Sequence, residues 1–375
     1  MILPAYFLLA CLLVCATNWL EEIPWRRSTG AHWTERARIL YPARVGASAN
    51  QWTIPAILLL GGIEWGPATV IPWPLLALAG FLGATIGTYP FARQTLHGLT
   101  LRTWSGQVGM RFVLLFCTAG VLVLAAMVMP ANFGWQTWLV TTLALALQIY
   151  LRFGGGERLM RILGVLRPPP ERLRRIVSEA ARAMNMPVPG IWLLHTPLSY
   201  AVAFPVTKSV ACSERLLELH PDDEVAAICA HELGHLTESR PVVAIRILRS
   251  LAFFPLILTR PVIATFPGLP IPFLLAPPYL LILIFRRLSR RMEIRADRLA
   301  CENQTEPGIF ARALERLCEA NGIPVVMTGR GVTHPHTYDR LVAAGITPAY
   351  PRPKAPNPIS ITGIIAAALL GLMGQ

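Results

Sequence analysis

Charge is scarce in this sequence. Asp, Glu, Lys and Arg make up 15% of its 375 residues, while 54% are hydrophobic and the mean hydropathy is +0.49. Soluble domains carry roughly 25% charged residues, so the composition excludes an ordinary soluble domain and reads as a membrane protein. Acid is scarcer than base: 21 Asp and Glu stand against 34 Lys and Arg, a formal charge of +13, and nearly all the positive residues are Arg. A nucleic-acid partner would require a basic patch on a soluble fold with interleaved aromatics. None is present, so no nucleic acid is expected, and the basic surplus instead marks the cytoplasmic loops of a polytopic protein. No C-x-x-C pair occurs, and the seven Cys are scattered and odd in number. They read as small apolar residues in a reducing compartment rather than a disulfide framework. No basic stretch precedes the apolar run Met1–Leu20, which reads as a first span rather than a cleaved leader. There is no internal repeat.

What the chain does have is a series of apolar segments separated by arginines. After the first span comes a basic loop with Arg26, Arg27, Arg36, Arg38 and Arg44, then an apolar stretch from Trp52 to Pro90 long enough for two short spans. Glu64 sits inside it, either as a functional intramembrane carboxylate or simply where the chain leaves the bilayer. Arg93, Arg102 and Arg111 form the next basic loop, and two more spans follow near Phe112–Met129 and Trp135–Leu151. From Arg152 the chain turns polar, with an amphipathic helix in "RPPPERLRRIVSEAARAMNM" and an alternating, strand-like run "GIWLLHTPLSYAVAFPVTKSVACS". Ser213 can cap the short helix "ERLLEL", and His220-Pro221-Asp222-Asp223-Glu224 has the Pro and acids of a helix start. Two further apolar segments, Pro241–Thr259 and Pro261–Phe285, precede four arginines, a helix in "GIFARALERLCEANG" and the stretch "THPHTYDRL". The last apolar segment, Ile359–Met373, is short for a span and could equally be interfacial.

The expected fold is mainly α: a polytopic helical membrane protein with a small β-hairpin or sheet. Residues 1–151 form an N-terminal membrane region of about five spans, and 152–240 the first part of a catalytic domain. Residues 241–285 form a membrane helical hairpin, 286–357 the second part of the domain, and 358–375 the C-terminal apolar segment. The basic loops follow spans one, three, five and seven, so all can face one side, which the positive-inside rule makes the cytoplasm. Only Arg260 breaks the pattern.

The chemistry is concentrated in "CAHELGHLTES", Cys229 to Ser239. On a helix His231 and His235 stand on one face and can grip one ion, with Glu232 placed to reach a water on it. Zinc is the usual guest of such a site, and a catalytic zinc needs a third protein ligand. A third His six residues after His235 is ruled out, because that position is Pro241 and the next His is His334. The flanks "PDDEV" and "TESR" are polar, which argues against a motif buried in a span. A carboxylate on a later helix remains. In "LSRRMEIRADRLA", Glu293 and Asp297 lie four apart, with Ala296 and Ala300 small enough for another helix to close in. Glu293 would complete a His-His-Glu set, and Asp297 would orient a ligand histidine from behind. The alternative is an acidic pair satisfied by surface arginines.

Taken together, "AAICAHELGH", two apolar segments, "LSRRMEIRAD" and "THPHTYDR" resemble the membrane-bound zinc metallopeptidases of the HtpX and CAAX-prenyl-endopeptidase type, over roughly Arg172–Val342. The resemblance implies a gluzincin-like domain with one Zn2+ per chain on His231, His235 and Glu293, and Glu232 as general base. It implies hydrolysis of peptide bonds in a peptide or membrane-protein substrate, in a multi-pass protein of the inner membrane, with the catalytic domain in the cytoplasm and the lipid bilayer as partner. Where the family has an Asn-Ala-Phe-like strand lining the substrate groove, this chain has "YAVAFP", without the Asn, so Tyr200, Ala201, Val202, Ala203 and Phe204 are the expected substrate-binding residues. The "THPHTYDR" motif offers His334 and Arg340 as donors to an oxyanion. Their alternatives are a helix cap for His334 and an internal ion pair for Arg340. The competing function is a catalytically silent zinc-bound membrane scaffold or sensor, which would have no need of Glu232. A zinc transporter would want ligands within the spans, where only Glu64 is offered.

Overall fold

The computed structural model describes residues 2–64, 71–96, 98–115, 120–266, 271–327 and 335–365. His334 and residues 366–375 of the C-terminal apolar segment lie outside the described residues, as does the Glu64 side chain.

The N-terminal half is a set of helices: α1 (Ile2–Arg26), α2 (Trp33–Glu64), α3 (Trp73–Gly87), α4 (Tyr89–Thr95), α5 (Leu101–Leu115), α6 (Val121–Val128), α7 (Trp135–Tyr150) and α8 (Gly156–Ile162). Ile2–Arg26, Leu75–Thr95 and Trp135–Ile162 are long and apolar enough to cross a membrane, as is Arg240–Thr265 further on. A bilayer core needs about 20 apolar helical residues. Residues 116–119 of the expected span Phe112–Met129 lie outside the described residues. The basic loop expected after the first span is corrected in part. Arg36, Arg38 and Arg44 lie on α2, which runs straight through Pro42 and Pro55. Arginine is a good helix former, and the Arg38–Glu35 pair one turn apart, at 2.7 Å, supports the first turns.

Small residues set how α1 and α3 meet. A Cβ on Gly83 would fall 2.2 Å from the Phe7 carbonyl oxygen, and one on Gly87 2.6 Å from that of Cys11. Two glycines four apart let the helix backbones touch where lipid offers no hydrophobic drive to association.

The second half holds α9 (Glu171–Ala183), α10 (Glu214–Leu219), α11 (Asp222–Leu236), α12 (Arg240–Ser250), α13 (Thr259–Thr265), α14 (Ile271–Glu302), α15 (Ile309–Asn321) and α16 (Thr337–Ala343). Its sheet has four strands, β1 (Leu166–Arg167), β2 (Gly190–Leu194), β3 (Ala201–Phe204) and β4 (Ser209–Ser213), in the order β1-β2-β4-β3. The β3–β4 pair is an antiparallel hairpin with Ala201 opposite Cys212, while β2 runs parallel to β4. β3 is thus an edge strand.

On α9, Leu173, Ile176, Val177 and Ala181 face inward at helical spacing. They meet Val210 and Cys212 of β4 and Val225, Cys229 and Leu233 of α11 in one core. Ser213 caps α10 by accepting from the Leu216 N–H at 3.0 Å. The polar flanks of α11 are confined to its two ends, and from Val225 to Leu236 nearly every residue is buried. The acids of its first turn sit where the helix dipole favours them.

The backbone is continuously helical across the expected boundary at 285/286. α14 is one helix of 32 residues that carries both the apolar run and Glu293, because nothing in "FRRLSRRMEIRAD" breaks a helix. Near the 151/152 boundary the backbone kinks between α7 and α8, where Phe153 leaves the helical region and Gly154 takes a left-handed φ of 111°.

Candidate metal centre

α11 and α14 cross at Gly234. A Cβ there would lie 3.2 Å from Leu299 Cδ1 and 3.3 Å from Ala296 Cα, so the glycine of H-E-L-G-H and Ala296 allow the approach. The crossing brings Glu293 under the two histidines. Its Oε2 lies 3.5 Å from His231 Nε2 and its Oε1 3.6 Å from His235 Nε2. One donor atom from each of the three residues lies within 4.8 Å of the other two, and all three residues are buried. These are the donor types and the convergence that a four-coordinate zinc site uses, with room for a fourth ligand.

The far nitrogens of both rings are held by carboxylates. His235 Nδ1 is hydrogen-bonded to Glu238 Oε1 at 2.9 Å. His231 Nδ1 lies 3.0 Å from Asp297 Oδ1, an ion-pair contact off the line of a good hydrogen bond. Such contacts turn Nε2 toward an ion and raise its basicity. Each carboxylate is fixed in turn by arginine. Arg246 donates to Glu238 at 2.7 and 2.5 Å, and Arg340 donates to Asp297 from Nε and Nη2 at 2.7 and 2.6 Å. Burial works against the charge on Glu238 and Asp297, but these partners hold both below the usual carboxylate range.

Burial also opposes a charged His231, yet Asp297, Glu293 and Glu232 outweigh it and push the ring up to about 9. A site that draws a proton this strongly has a surplus of negative charge suited to a cation. Phe310 stacks on His231 with centroids 5.8 Å apart and planes 18° apart, closing that side.

The centre opens into a cavity of about 370 Å³ lined by Tyr200, Ala201, Val202, Ala203, Glu232 and Arg340, among others. Glu232, the half-buried member of the motif, faces it. Phe204 does not line it. Its ring packs with Val202 and Trp192 against the apolar cluster around Leu194 and Ala211, because side chains alternate between the two faces of β3. The start of β3 is braced at Ser199, where Asn321 Oδ1 accepts from the backbone N–H at 2.9 Å and Nδ2 donates to the carbonyl at 2.7 Å. Tyr200 is pushed up to about 12 by desolvation of its hydroxyl, then by Glu232 and Glu293. The phenol therefore stays protonated and able to donate, although 42% of the residue is exposed.

Among the expected residues, His231, Glu232, His235, Glu293, Asp297, Arg340 and Tyr200–Ala203 come together. Glu238, Arg246, Phe310 and Asn321 escaped the sequence reading. Only Glu238 carried a local signal, three residues after His235 and within reach of the same helix end.

Fold and site together define a class: an integral membrane protein, mainly helical, with a candidate His-His-Glu metal centre of the metallopeptidase kind. Residues 169–345 match Peptidase family M48, so this part of the chain is an M48 peptidase domain, similar to that of HtpX-type proteases. It is 28% identical over 174 residues to a protease HtpX homolog of Trichormus variabilis, covering 41% of this chain and 60% of that one. A protease HtpX homolog of Syntrophobacter fumaroxidans is 29% identical over 170 residues, covering 40% and 60%, and one of Nostoc sp. is 27% identical over 165 residues, covering 39% and 56%. The chain thus spans about 60% of the length of these curated relatives.

Proposed function

We propose that the protein is a zinc-dependent membrane metalloendopeptidase that hydrolyses peptide bonds of peptide or membrane-protein substrates. The observation that carries this reading is the convergence of His231 and His235 Nε2 on Glu293, with Glu232 beside them facing the cavity. One zinc, held by those three residues, would supply a Lewis acid for the scissile carbonyl and lower the pKa of an attacking water.

The chain's own residues do the rest. Glu232 accepts the water proton and returns it to the leaving amine. Tyr200–Ala203 present the outer edge of β3, whose peptide groups can take an extended substrate as an added strand. The Arg340 guanidinium is committed through Nε and Nη2 to Asp297, so its first task is to hold that carboxylate behind His231, and only Nη1 remains to face a substrate. The Tyr200 hydroxyl, kept protonated beside Glu232, is a second donor to developing negative charge. His334, outside the described residues, stays a candidate donor on sequence alone. The one-sided basic segments support a cytoplasmic position for the domain, at the cell's inner membrane.

The test is Glu232→Gln in the full-length protein. Zinc content should stay at one per chain while cleavage of a fluorescent casein falls at least about 100-fold, the lower range for loss of a general base. Cleavage at the wild-type rate by the zinc-loaded variant would defeat the reading and favour a binding or sensing role.

A further inference from the structure

A second cavity, of about 180 Å³, lies away from the metal centre between α2, α4 and α5. Two arginines line it, Arg44 from α2 and Arg111 from α5, and no acidic residue does. Arg44 is largely used, since its Nη1 donates to the carbonyls of Asn321 at 2.5 Å and Gly322 at 3.1 Å and its Nη2 to that of Thr95 at 3.4 Å. Those contacts neutralise no charge. Arg111 stands on the exposed side of α5 and makes no hydrogen bond or ion pair among the described residues.

Gln107, one turn before Arg111, is 5% exposed, lines the cavity and makes no side-chain hydrogen bond among the described residues. Its amide atoms are not sealed off by protein but open to the cavity, where they can hydrogen-bond a ligand. Two neighbouring cations and an unpaired amide around one void are complementary to an anion with several acceptor oxygens. Arginine forks suit phosphate in particular.

The position of the cavity adds a second constraint. Phe91, Ala92 and Thr95, from the last turns of the Leu75–Thr95 span, form one wall, so the cavity sits at the depth where that span leaves the hydrocarbon. Basic pockets between membrane helices at this depth suit phosphate head groups. Leu198, next to the braced Ser199, closes the opposite wall.

We propose that this cavity binds a phosphate-bearing anion, whose oxygens accept from Arg111 and Gln107 and neutralise the charge shared with Arg44. Burial and the like charge of Arg111 push Arg44 down to about 10, as expected of two cations facing each other without a counter-ion. The phosphate could belong to a lipid head group or to a soluble ion, and the experiment separates the two.

Full-length protein in mild detergent is titrated with short-chain phosphatidylglycerol, with inorganic phosphate, and with a diacylglycerol of equal chain length as the phosphate-free control. Native mass spectrometry counts the adducts. One phosphatidylglycerol per chain without diacylglycerol binding assigns the lipid source, and inorganic phosphate binding alone assigns the soluble one. In either case Arg111→Gln should weaken binding about tenfold or more, the loss of one charged hydrogen-bonding partner, and Arg111→Lys should restore most of it. Gln107→Leu, close in volume, should weaken it independently in protein with an unchanged melting curve. No binding of either phosphate probe, or equal binding by wild type and both loss variants, overturns the proposal.

Discussion

At His235 one ring serves two partners: Nε2 faces Glu293 while Nδ1 is tied to Glu238, which is itself gripped by Arg246. The carboxylate thereby fixes both the tautomer and the direction of the ligand nitrogen. Glu238→Gln keeps the shape but weakens the acceptor, so zinc affinity should fall about 10- to 100-fold, the usual range for such supporting groups. A competing-chelator titration measures it, and an unchanged affinity would remove Glu238 from the site's support.

His231 carries a prediction about pH. In protein stripped of metal its pKa is raised to about 9, above the unfolded value of about 6.5. The stabilisation this gives is fully present below about 6.5 and is lost as pH rises through about 9. The melting temperature of chelated protein should therefore decline between pH 7 and 9, and Asp297→Asn should flatten that decline. Zinc binding must displace the same proton, so apparent zinc affinity should climb about tenfold per pH unit up to that range. A flat affinity profile between pH 7 and 9 would show that no proton leaves His231.

Among the elements, the contact of α11 with α14 decides whether the motif becomes a site. Both helices are readable from their own residues, but the third ligand reaches the histidines only because Gly234 and Ala296 let the backbones close. Gly234→Ala adds a methyl 3.2 Å from Leu299 Cδ1 and 3.3 Å from Ala296 Cα. Two effects on stability then oppose each other: a gain in helix propensity of about 1 kcal/mol and an overpacking cost of about 1–3 kcal/mol. Thermal stability should change little, while zinc affinity drops severalfold because Glu293 is one turn from the contact. If affinity holds and only stability falls, the crossing matters for folding and not for the centre.

Across the whole molecule, Arg260 is the one charge that departs from the one-sided distribution of basic segments. Its Nη1 donates to the carbonyl of Met129 at 3.1 Å, next to the Pro130–Gly134 connector between α6 and α7. The two connectors expected on the outer face thus lie together, and Arg260 is satisfied by a helix end. A topology reporter in Pro130–Gly134 should score external, and one after Leu166 cytoplasmic. The reverse pair of results would move the metal centre to the other side of the membrane.

Glu232 and the histidine pair were legible in the sequence because i, i+4 spacing on a helix is local geometry, fixed by 3.6 residues per turn. The same holds for the inward stripe of α9, the Ser213 cap and the acidic start of α11. Glu293 and Asp297 were legible as a pair on one face, four residues apart. Which of their partners they would meet was open, because Glu293 lies 62 positions after His231 and spacing along a chain carries no distance across a fold. Tertiary structure alone decided that Arg340 pairs with Asp297, that Glu238 stands behind His235, and that Phe204 turns away from the cavity. It also decided that the apolar run and the third ligand share one unbroken helix, since hydropathy registers the change from lipid to water and not the continuity of the backbone. The cavity of Arg44, Gln107 and Arg111 belongs to the same category: its members sit on two helices whose sequences show only basic residues near the ends of spans, and packing alone sets their charges face to face.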